Sequence, residues 1–166
     1  MNNKIIVADA SPLIAFGRIK QIPLLAKTLG TIIIPEIVAS ECLNESHRPG
    51  AVEIQQAVHN KIILITPDNE INKNSGLSEI LDHGEASAIS LALQIEAGLL
   101  IDEKIGRDVA RKLNLKIIGT AGALLLAKKK KLVNKIAPLI MQLKQSGYYL
   151  SSALIAEILK QAKEHE

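Results

Sequence analysis

A short apolar run near the start of the chain constrains the fold more than any other feature. Residues 5–8 are apolar and mostly β-branched, and the run stops at Asp9. Such a run is typical of a strand buried on both faces of a parallel sheet. A carboxylate at its end belongs at the carboxyl edge of the sheet, where open α/β folds bind ligands. Pro12 fits the first turn of a following helix, so Asp9 is interpreted either as a helix cap or as a site residue.

The remaining chain alternates strands with helices, which predicts a parallel sheet between two layers of helices. We predict four further strands over residues 31–34, 62–65, 99–101 and 116–118. Helices are predicted over 13–29 (broken by Pro23), 35–43, 51–59, 84–97, 103–113, 121–131, 135–145 and 152–163. The expected fold is a three-layer α/β/α arrangement with a five-stranded parallel sheet in the order 3-2-1-4-5 and further helices at the carboxyl end.

Length and composition narrow the class of protein. The 166 residues are enough for one well-packed domain. Aromatic residues make up only 2% of the chain, which argues against recognition of nucleic acid by stacking of bases on aromatic side chains. A net charge of +3 permits a phosphate-rich partner without requiring one.

Thiolate and histidine metal sites are not expected. Cys42 is the only cysteine, and its apolar neighbours predict an inert buried thiol. The four histidines (His47, His59, His83 and His165) show no ligand spacing. The amino-terminal apolar run is too short for a signal peptide, and no segment is long enough to cross a bilayer. We therefore expect a soluble, cytoplasmic protein.

Four carboxylates are predicted to share the carboxyl edge of the sheet. Asp9 and Asp102 each follow a buried strand, and the predicted order makes these two strands neighbours. Glu41 lies on the helix after the second strand and Glu85 starts the helix before the fourth. Taken singly, Glu41 is equally well a solvated side chain, and Glu85 is favoured at a helix amino terminus by the macrodipole. Together, such groups repel one another unless a cation neutralises them, and all-oxygen ligands favour Mg²⁺ or Mn²⁺ over zinc.

Polar and cationic residues flank these acids. Ser11 and Thr120 follow the first and fifth strands, and each is placed to hold a carboxylate or a metal-bound water. Lys104, Arg107 and Arg111 lie on the helix after Asp102 and are interpreted either as contacts to a phosphate backbone or as a solvated helix face.

Two other charged features have simpler interpretations. Asp108 is interpreted either as an accessory acid or as the ion-pair partner of Lys104, and the partner role is favoured. The run of lysines over residues 128–131 is either a patch that contacts RNA or a charged helix end.

Four short motifs resemble the PIN-domain family, the fold of many prokaryotic toxin–antitoxin ribonucleases. They are VADASPLI at residues 7–14, IPEIVASE at 34–41, GEASAISLA at 84–92 and LLIDE at 99–103. The chain is most similar to a VapC-like subgroup that begins with an Asp-x-Ser-Pro-Leu-Ile motif, has Gly-Thr after the fifth strand and carries an extra carboxyl-terminal helical segment.

The resemblance implies a function and a set of site residues. It implies a single PIN-like domain over 1–166, with 133–166 as its helical extension. Asp9, Glu41, Glu85 and Asp102 would be catalytic and metal-binding, and Glu103 stands where the subgroup often has a second Asp. The implied activity is an Mg²⁺- or Mn²⁺-dependent endoribonuclease that acts as the toxin of a toxin–antitoxin pair. Its partners would be RNA, a second copy in a homodimer and a small antitoxin that reaches into the acidic groove.

Two other classes of function remain open. The same fold can serve as a nucleic-acid or protein binding module without catalysis. Asp9 can also act as the nucleophile of a phosphoacceptor or phosphatase-like domain. The phosphatase version is disfavoured because Ser11, and not a second Asp, stands two residues after Asp9.

Overall fold

The computed structural model describes residues 4–74 and 76–164, so His165 and the ends of the predicted 1–166 domain lie outside the described residues. Its centre is a five-stranded sheet in the order β3-β2-β1-β4-β5, and every neighbouring pair is parallel. This confirms the predicted order. The strands are β1 (Ile5–Ala8), β2 (Thr31–Pro35), β3 (Ile63–Thr66), β4 (Gly98–Leu100) and β5 (Ile117–Ile118).

Ten helices connect or follow the strands. They are α1 (Ala10–Arg18), α2 (Ile22–Leu29), α3 (Glu36–Leu43), α4 (Ala51–His59), α5 (Leu77–Ile80), α6 (His83–Ile95), α7 (Lys104–Lys112), α8 (Thr120–Lys129), α9 (Ala137–Gln145) and α10 (Ser152–Gln161). The predicted helix over 13–29 is two helices, and Pro23 lies in the first turn of α2 instead of causing the break. Proline suits that turn because its missing N–H has no helical partner there.

The side chains of the strands alternate between two hydrophobic cores, as the pleat of a strand requires. In β1, Ile6 and Ala8 belong to the larger core, whereas Val7 belongs to the smaller one. The larger core packs β1 and β2 against α1, α2, α4 and the carboxyl-terminal helices, and the smaller core packs the other face against α6 and α7. Helices therefore cover both faces of the sheet, which confirms the three-layer α/β/α class.

The carboxyl-terminal helices are part of the larger core. Ile136, Leu143 and Ile158 are almost completely buried in it. Glu164 accepts hydrogen bonds from the backbone N–H groups of Ile136 (2.8 Å), the residue before α9, and of Ala137 (3.0 Å), its first residue. The end of the chain thereby supplies the acceptors that the amino terminus of α9 lacks.

The carboxyl ends of β1 and β4 lie next to each other. The backbone N–H of Asp9 donates to the carbonyl of Leu100 at 2.9 Å, which fixes Asp9 directly beside the end of β4. The fourth strand was predicted to run to Ile101, but β4 ends at Leu100, so Asp102 lies two residues beyond it. Both acids are at the predicted edge of the sheet.

None of the helices in residues 4–74 and 76–164 has the length and hydrophobicity to span a membrane.

Candidate functional site

Asp9 is a buried carboxylate at the centre of the sheet edge. Its side chain is only 6% exposed. It occupies the amino-terminal cap position of α1, although its side chain makes no capping hydrogen bond. Burial, reinforced by the charges of Asp82, Glu41 and Asp102, raises the pKa of Asp9 to about 7. A carboxyl group in such surroundings is poised to lose its proton when a positive charge arrives.

Glu85 is a second buried carboxylate, on the first turn of α6. It is 8% exposed, and its Oε2 atom is buried without a hydrogen-bond partner among the described residues. Its pKa is raised, first by burial, then by a hydrogen bond with Asp82 and by the charges of Asp82, Asp9 and Glu103. A buried carboxylate oxygen with no partner is costly, so this atom is a candidate ligand for a cation.

Asp82 is a further carboxylate at this site and was not among the site residues predicted from the sequence. It caps α6 by accepting a hydrogen bond from the backbone N–H of Glu85 at 2.8 Å. Its charge contributes to the raised pKa of Asp9, Glu41 and Glu85. Asp82 and Glu85 form the D-x-x-E pattern of a capping box, and this pattern could have identified Asp82 from the sequence.

Glu41 lies on α3 and belongs to the same group of acids. We refer to Asp9, Glu41, Asp82, Glu85 and Asp102 as the acidic cluster. The residue is exposed, but partial burial of its carboxyl group and the charge of Asp82 raise its pKa. Its carboxylate lies against Gly84 of α6. The carboxylate of Glu41 therefore lies beside the start of α6, the helix that carries Glu85, and its charge also acts on Asp9.

Asp102 is held by three hydrogen bonds. Its Oδ1 accepts from the backbone N–H of Thr120 at 2.7 Å, and its Oδ2 accepts from the Thr120 hydroxyl at 2.6 Å. The Tyr148 hydroxyl donates to the same Oδ2 at 2.5 Å. Thr120 thus holds a carboxylate, one of its two expected roles. Tyr148 was not selected from the sequence because nothing in its local pattern places it 46 residues away at this acid.

Three glycines leave room for the carboxylates. A Cβ at Gly84 would collide with the Glu41 carboxylate. A Cβ at Gly106 would lie 2.7 Å from Oε2 of Glu85, and one at Gly119 would lie 2.8 Å from Oδ1 of Asp102. These carboxylates occupy the space that a side chain would fill, so the positions of the carboxylates depend on glycine at all three places.

The predicted supporting residues Ser11 and Glu103 differ in their contacts: Ser11 is exposed, and Glu103 makes a capping hydrogen bond. Ser11 is exposed in the first turn of α1. Glu103 caps α7 by accepting from the backbone N–H of Gly106 at 2.8 Å, and its charge adds to the raised pKa of Glu85. Glu103 therefore has a structural contact of its own while it contributes to the negative potential of the cluster.

The predicted cations lie along α7. Nη1 of Arg107 donates to the carbonyl of Ile101 at 3.2 Å, close to Gly119. Lys104 and Arg111 are exposed. Asp108, assigned to Lys104 from the sequence, instead pairs with Arg111, whose Nη1 reaches its Oδ1 at 3.5 Å. The i,i+3 spacing on one helix makes this pairing geometrically equivalent to the expected one.

Two further predictions concern residues outside the cluster. In the run 128–131, Lys128 pairs with Glu164 at 2.9 Å and Lys130 donates to the carbonyl of Thr28 at 2.6 Å, so half of the run makes structural contacts. Cys42 is buried, and burial together with nearby Glu41 raises its pKa to about 12, as expected for an inert thiol.

Comparison with known proteins identifies the family. The family model DUF3368, described as a PIN domain, matches residues 5–164. The chain belongs to the PIN-domain family. PIN domains are generally nucleases that need a divalent metal ion.

Two solved structures resemble this PIN domain. A PilT N-terminus domain protein, SSO1118, from the hyperthermophilic archaeon Sulfolobus solfataricus P2 aligns with a TM-score of 0.54 at 19% identity, over 74% of this chain and 92% of that one. A domain of a functionally unknown protein from Methanocaldococcus jannaschii DSM 2661 aligns with a TM-score of 0.45 at 17% identity, over 70% and 90% of the two chains. No curated protein matches the chain. At these identities the first likeness supports the fold alone.

The chemistry of the cluster fits the divalent cation that PIN domains need. Asp9 and Glu85 are buried, their pKa values are raised, and Oε2 of Glu85 has no partner among the described residues. However, no three His, Cys, Asp or Glu side chains within 4–74 and 76–164 are arranged as a coordination shell. The residues therefore fit a cation by charge and donor type, but not by the arrangement of their oxygens in this structure.

Proposed function

We propose that this PIN domain is a divalent-metal-dependent endoribonuclease that hydrolyses RNA phosphodiester bonds. The observation that supports this most is the pair of buried carboxylates Asp9 and Glu85, whose mutual repulsion and unpaired oxygen call for a cation. The proposal treats 1–166 as a single PIN-like domain in which 133–166 is a helical extension.

Asp9, Glu41, Glu85 and Asp102 are the proposed metal-binding and catalytic residues. Asp9 and Glu85 are the buried carboxylates of the cluster, and Glu41 adds a third carboxylate from α3. Hydrogen bonds from Thr120 and Tyr148 orient Asp102. These donors are all carboxylate oxygens, which favours Mg²⁺ or Mn²⁺. When bound, such an ion activates a water molecule and stabilises the leaving oxygen of the phosphodiester.

The residues around the cluster have supporting roles in this proposal. Glu103 adds negative charge, and exposed Ser11 is available for a hydrogen bond to a water molecule. Lys104, Arg107 and Arg111 on α7 carry the opposite charge next to Asp102 and are the proposed contacts to RNA phosphates. In this proposal the cations of α7, which would bind the RNA strand, lie next to Asp102, one of the acids that would bind the metal ion.

The biological setting is also proposed. By resemblance to toxin–antitoxin ribonucleases, the protein acts in the cytoplasm as the toxin of such a pair and forms a homodimer. A small antitoxin would inhibit it by reaching into the acidic groove, where a basic side chain can satisfy the same carboxylates that a metal ion would.

The test is RNA cleavage by purified protein in Mg²⁺ or Mn²⁺. The Asp9→Asn variant keeps the size of the side chain and is expected to abolish cleavage, as is the addition of EDTA to the wild-type protein. Glu157→Gln is the matched control, because Glu157 is an exposed acid on α10 outside the cluster. If Asp9→Asn cuts RNA as well as the wild type, the activity does not belong to this site.

A second candidate is a catalytically weak or inactive module that binds nucleic acid or protein. The absence of a finished coordination shell among the described residues favours it. Calorimetry separates the two proposals. Weak Mn²⁺ binding together with RNA binding that persists in EDTA supports the module, whereas tight Mn²⁺ binding that is lost in Asp9→Asn supports the nuclease.

A further inference from the structure

A groove next to the acidic cluster has the features of a binding site for a nucleic acid strand. It has a volume of about 520 Å³ and lies between α7 and the segment that leads into α10. Asp102 is the one of the four proposed metal-binding acids that lines the groove, and its charge also acts on Asp9. The residues that matter here are Lys104, Arg107, Arg111, Ile118, Tyr149 and Leu154.

The groove has a cationic wall and an apolar floor. Lys104, Arg107 and Arg111 project from successive turns of α7. Ile118 and Leu154 supply apolar surface, and Leu154 is 41% exposed. Asp108, which pairs with Arg111, also lines the groove, but the three cations outnumber it and leave the wall with a net positive charge that is complementary to a phosphate backbone.

Among the Phe, Tyr and Trp side chains of the described residues, only that of Tyr149 is exposed. The chain has one Phe, two Tyr and no Trp. Phe16 is buried and Tyr148 is half-buried, whereas Tyr149 is 84% exposed. An aromatic side chain left in water on the rim of a cationic groove is the combination that single-strand binding proteins use to stack bases.

The position of Tyr149 is fixed by its two neighbours. On one side the Tyr148 hydroxyl is hydrogen-bonded to Asp102, and on the other Leu150 is buried in the larger core. The backbone of Tyr149 is therefore anchored while its ring remains free. The anchoring residue Tyr148 is bonded to Asp102 itself, so the backbone of Tyr149 is held at a set position relative to Asp102.

We propose that Tyr149 stacks on a base of single-stranded RNA that lies in this groove with its phosphates along Lys104, Arg107 and Arg111. This inference rests on the proposed nuclease function and adds the path of the strand to it. It runs against the expectation drawn from composition, because a low aromatic content does not exclude stacking on one exposed tyrosine that lines the groove. A strand guided in this way presents the phosphodiester next to the stacked base to the acids.

Fluorescence anisotropy of a dye-labelled single-stranded RNA in EDTA measures this binding without cleavage. Tyr149→Ala is expected to weaken binding by about tenfold to a hundredfold, the range found for loss of one stacked base. Tyr149→Phe keeps the ring and is expected to bind like the wild type. Met141→Ala removes another exposed apolar side chain, on α9 outside the groove, and is the control.

A second probe tests the base itself. An abasic oligonucleotide of the same length has phosphates but no bases, so wild type and Tyr149→Ala should bind it equally. The inference is overturned if Tyr149→Ala binds single-stranded RNA like the wild type, or if Tyr149→Phe loses as much affinity as Tyr149→Ala. It is also overturned if Tyr149→Ala changes only the oligomeric state in sedimentation, since the groove would then be a protein interface.

The inference and the proposed function fail in different assays. Loss of binding in Tyr149→Ala with no cleavage by the wild type in Mn²⁺ contradicts the nuclease and leaves a strand-binding site. Cleavage by the wild type that is unaffected by Tyr149→Ala, with unchanged binding in EDTA, contradicts the inference and leaves the nuclease.

Discussion

At the scale of single residues, each of three carboxylates lies in space that a glycine leaves empty. Gly84 accommodates Glu41, Gly106 accommodates Glu85 and Gly119 accommodates Asp102. At Gly84 and Gly106 the atoms that a Cβ would meet are the ends of side chains, which can move without unfolding the protein. These glycines therefore offer a way to displace an acid without removing it.

Gly84→Ala tests this arrangement. The new methyl group forces the Glu41 carboxylate out of place, while alanine in a helix costs nothing, so the free energy of unfolding should stay within about 1 kcal/mol of the wild type. We expect Mn²⁺ affinity, measured by calorimetry, to fall about 10- to 100-fold. Gly98→Ala is the control because its Cβ would make only an ordinary contact at 3.4 Å. Unchanged Mn²⁺ affinity in Gly84→Ala would remove Glu41 from the site.

The raised pKa of Asp9 predicts how stability depends on pH without metal. Its pKa is 3.8 in an unfolded chain and about 7 in the fold, so the folded protein binds the extra proton between these values. Stability is therefore highest below 3.8 with respect to this group and is lost as the pH rises toward about 7, by at most about 4 kcal/mol.

Thermal unfolding in EDTA across this range measures the effect. The melting temperature of the wild type should fall with rising pH more steeply than that of Asp9→Asn, which has no proton to lose. Mn²⁺ should restore stability most at the higher pH, because metal binding displaces the proton. Parallel pH profiles for the two proteins would show that Asp9 is not held in a raised-pKa state.

Tyr148→Phe tests the contact between the carboxyl-terminal segment and Asp102. The change removes only the hydroxyl that donates to Asp102, and a hydrogen bond to a charged acceptor stabilises by about 1.5–3 kcal/mol. We expect a loss of that size in urea unfolding. Tyr149→Phe removes the same atom from an 84% exposed neighbour and should change stability by less than about 0.5 kcal/mol. Equal effects of the two changes would show that the hydroxyl–Asp102 bond contributes nothing.

At the scale of secondary structure, most elements were predicted, and the differences have local causes. Short apolar runs marked all five strands, because buried parallel strands carry continuous apolar sequence. The break between α1 and α2 was misplaced because Pro23 suits the first turn of a helix as well as the end of one. Asp82 was overlooked although its capping-box pattern was visible in the sequence.

One acid, Glu164, connects the carboxyl-terminal helices to one another by hydrogen bonds and an ion pair. Glu164 accepts from two backbone N–H groups of α9 and pairs with Lys128 of α8. Burial alone would raise its pKa, but the hydrogen bonds from Ile136, Ala137 and Lys128 outweigh burial and lower it. The stabilisation from Glu164 is therefore present above its ordinary pKa of 4.5 and is lost as the pH falls below that value.

Glu164→Gln is expected to destabilise the protein by about 1–3 kcal/mol at neutral pH, because the amide has only one acceptor oxygen and no charge. Urea unfolding measures the loss, and the difference from the wild type should shrink in acid. Glu157→Gln serves as the control on α10. A Glu164→Gln protein that is as stable as the wild type at neutral pH would contradict this role.

At the scale of the whole molecule, the strand order 3-2-1-4-5 explains why acids far apart in the sequence meet. It makes β1 and β4 neighbours, so Asp9 and Asp102 lie at one edge. The strand–helix alternation predicted the parallel sheet, and the expected order of its strands is confirmed. The positions of Tyr148 and of the three glycines were not predicted, because they depend on contacts between distant segments that no local pattern encodes. The metal-binding role of the four acids stays a prediction.

Diffraction from crystals soaked in Mn²⁺ tests this prediction most directly. We expect anomalous density between Asp9 and Asp102, within reach of Glu41 and Glu85, and its loss in crystals of Asp9→Asn. Crystals that take up no ion there, at Mn²⁺ concentrations that support RNA cleavage in solution, would contradict the assignment of these acids to a metal site.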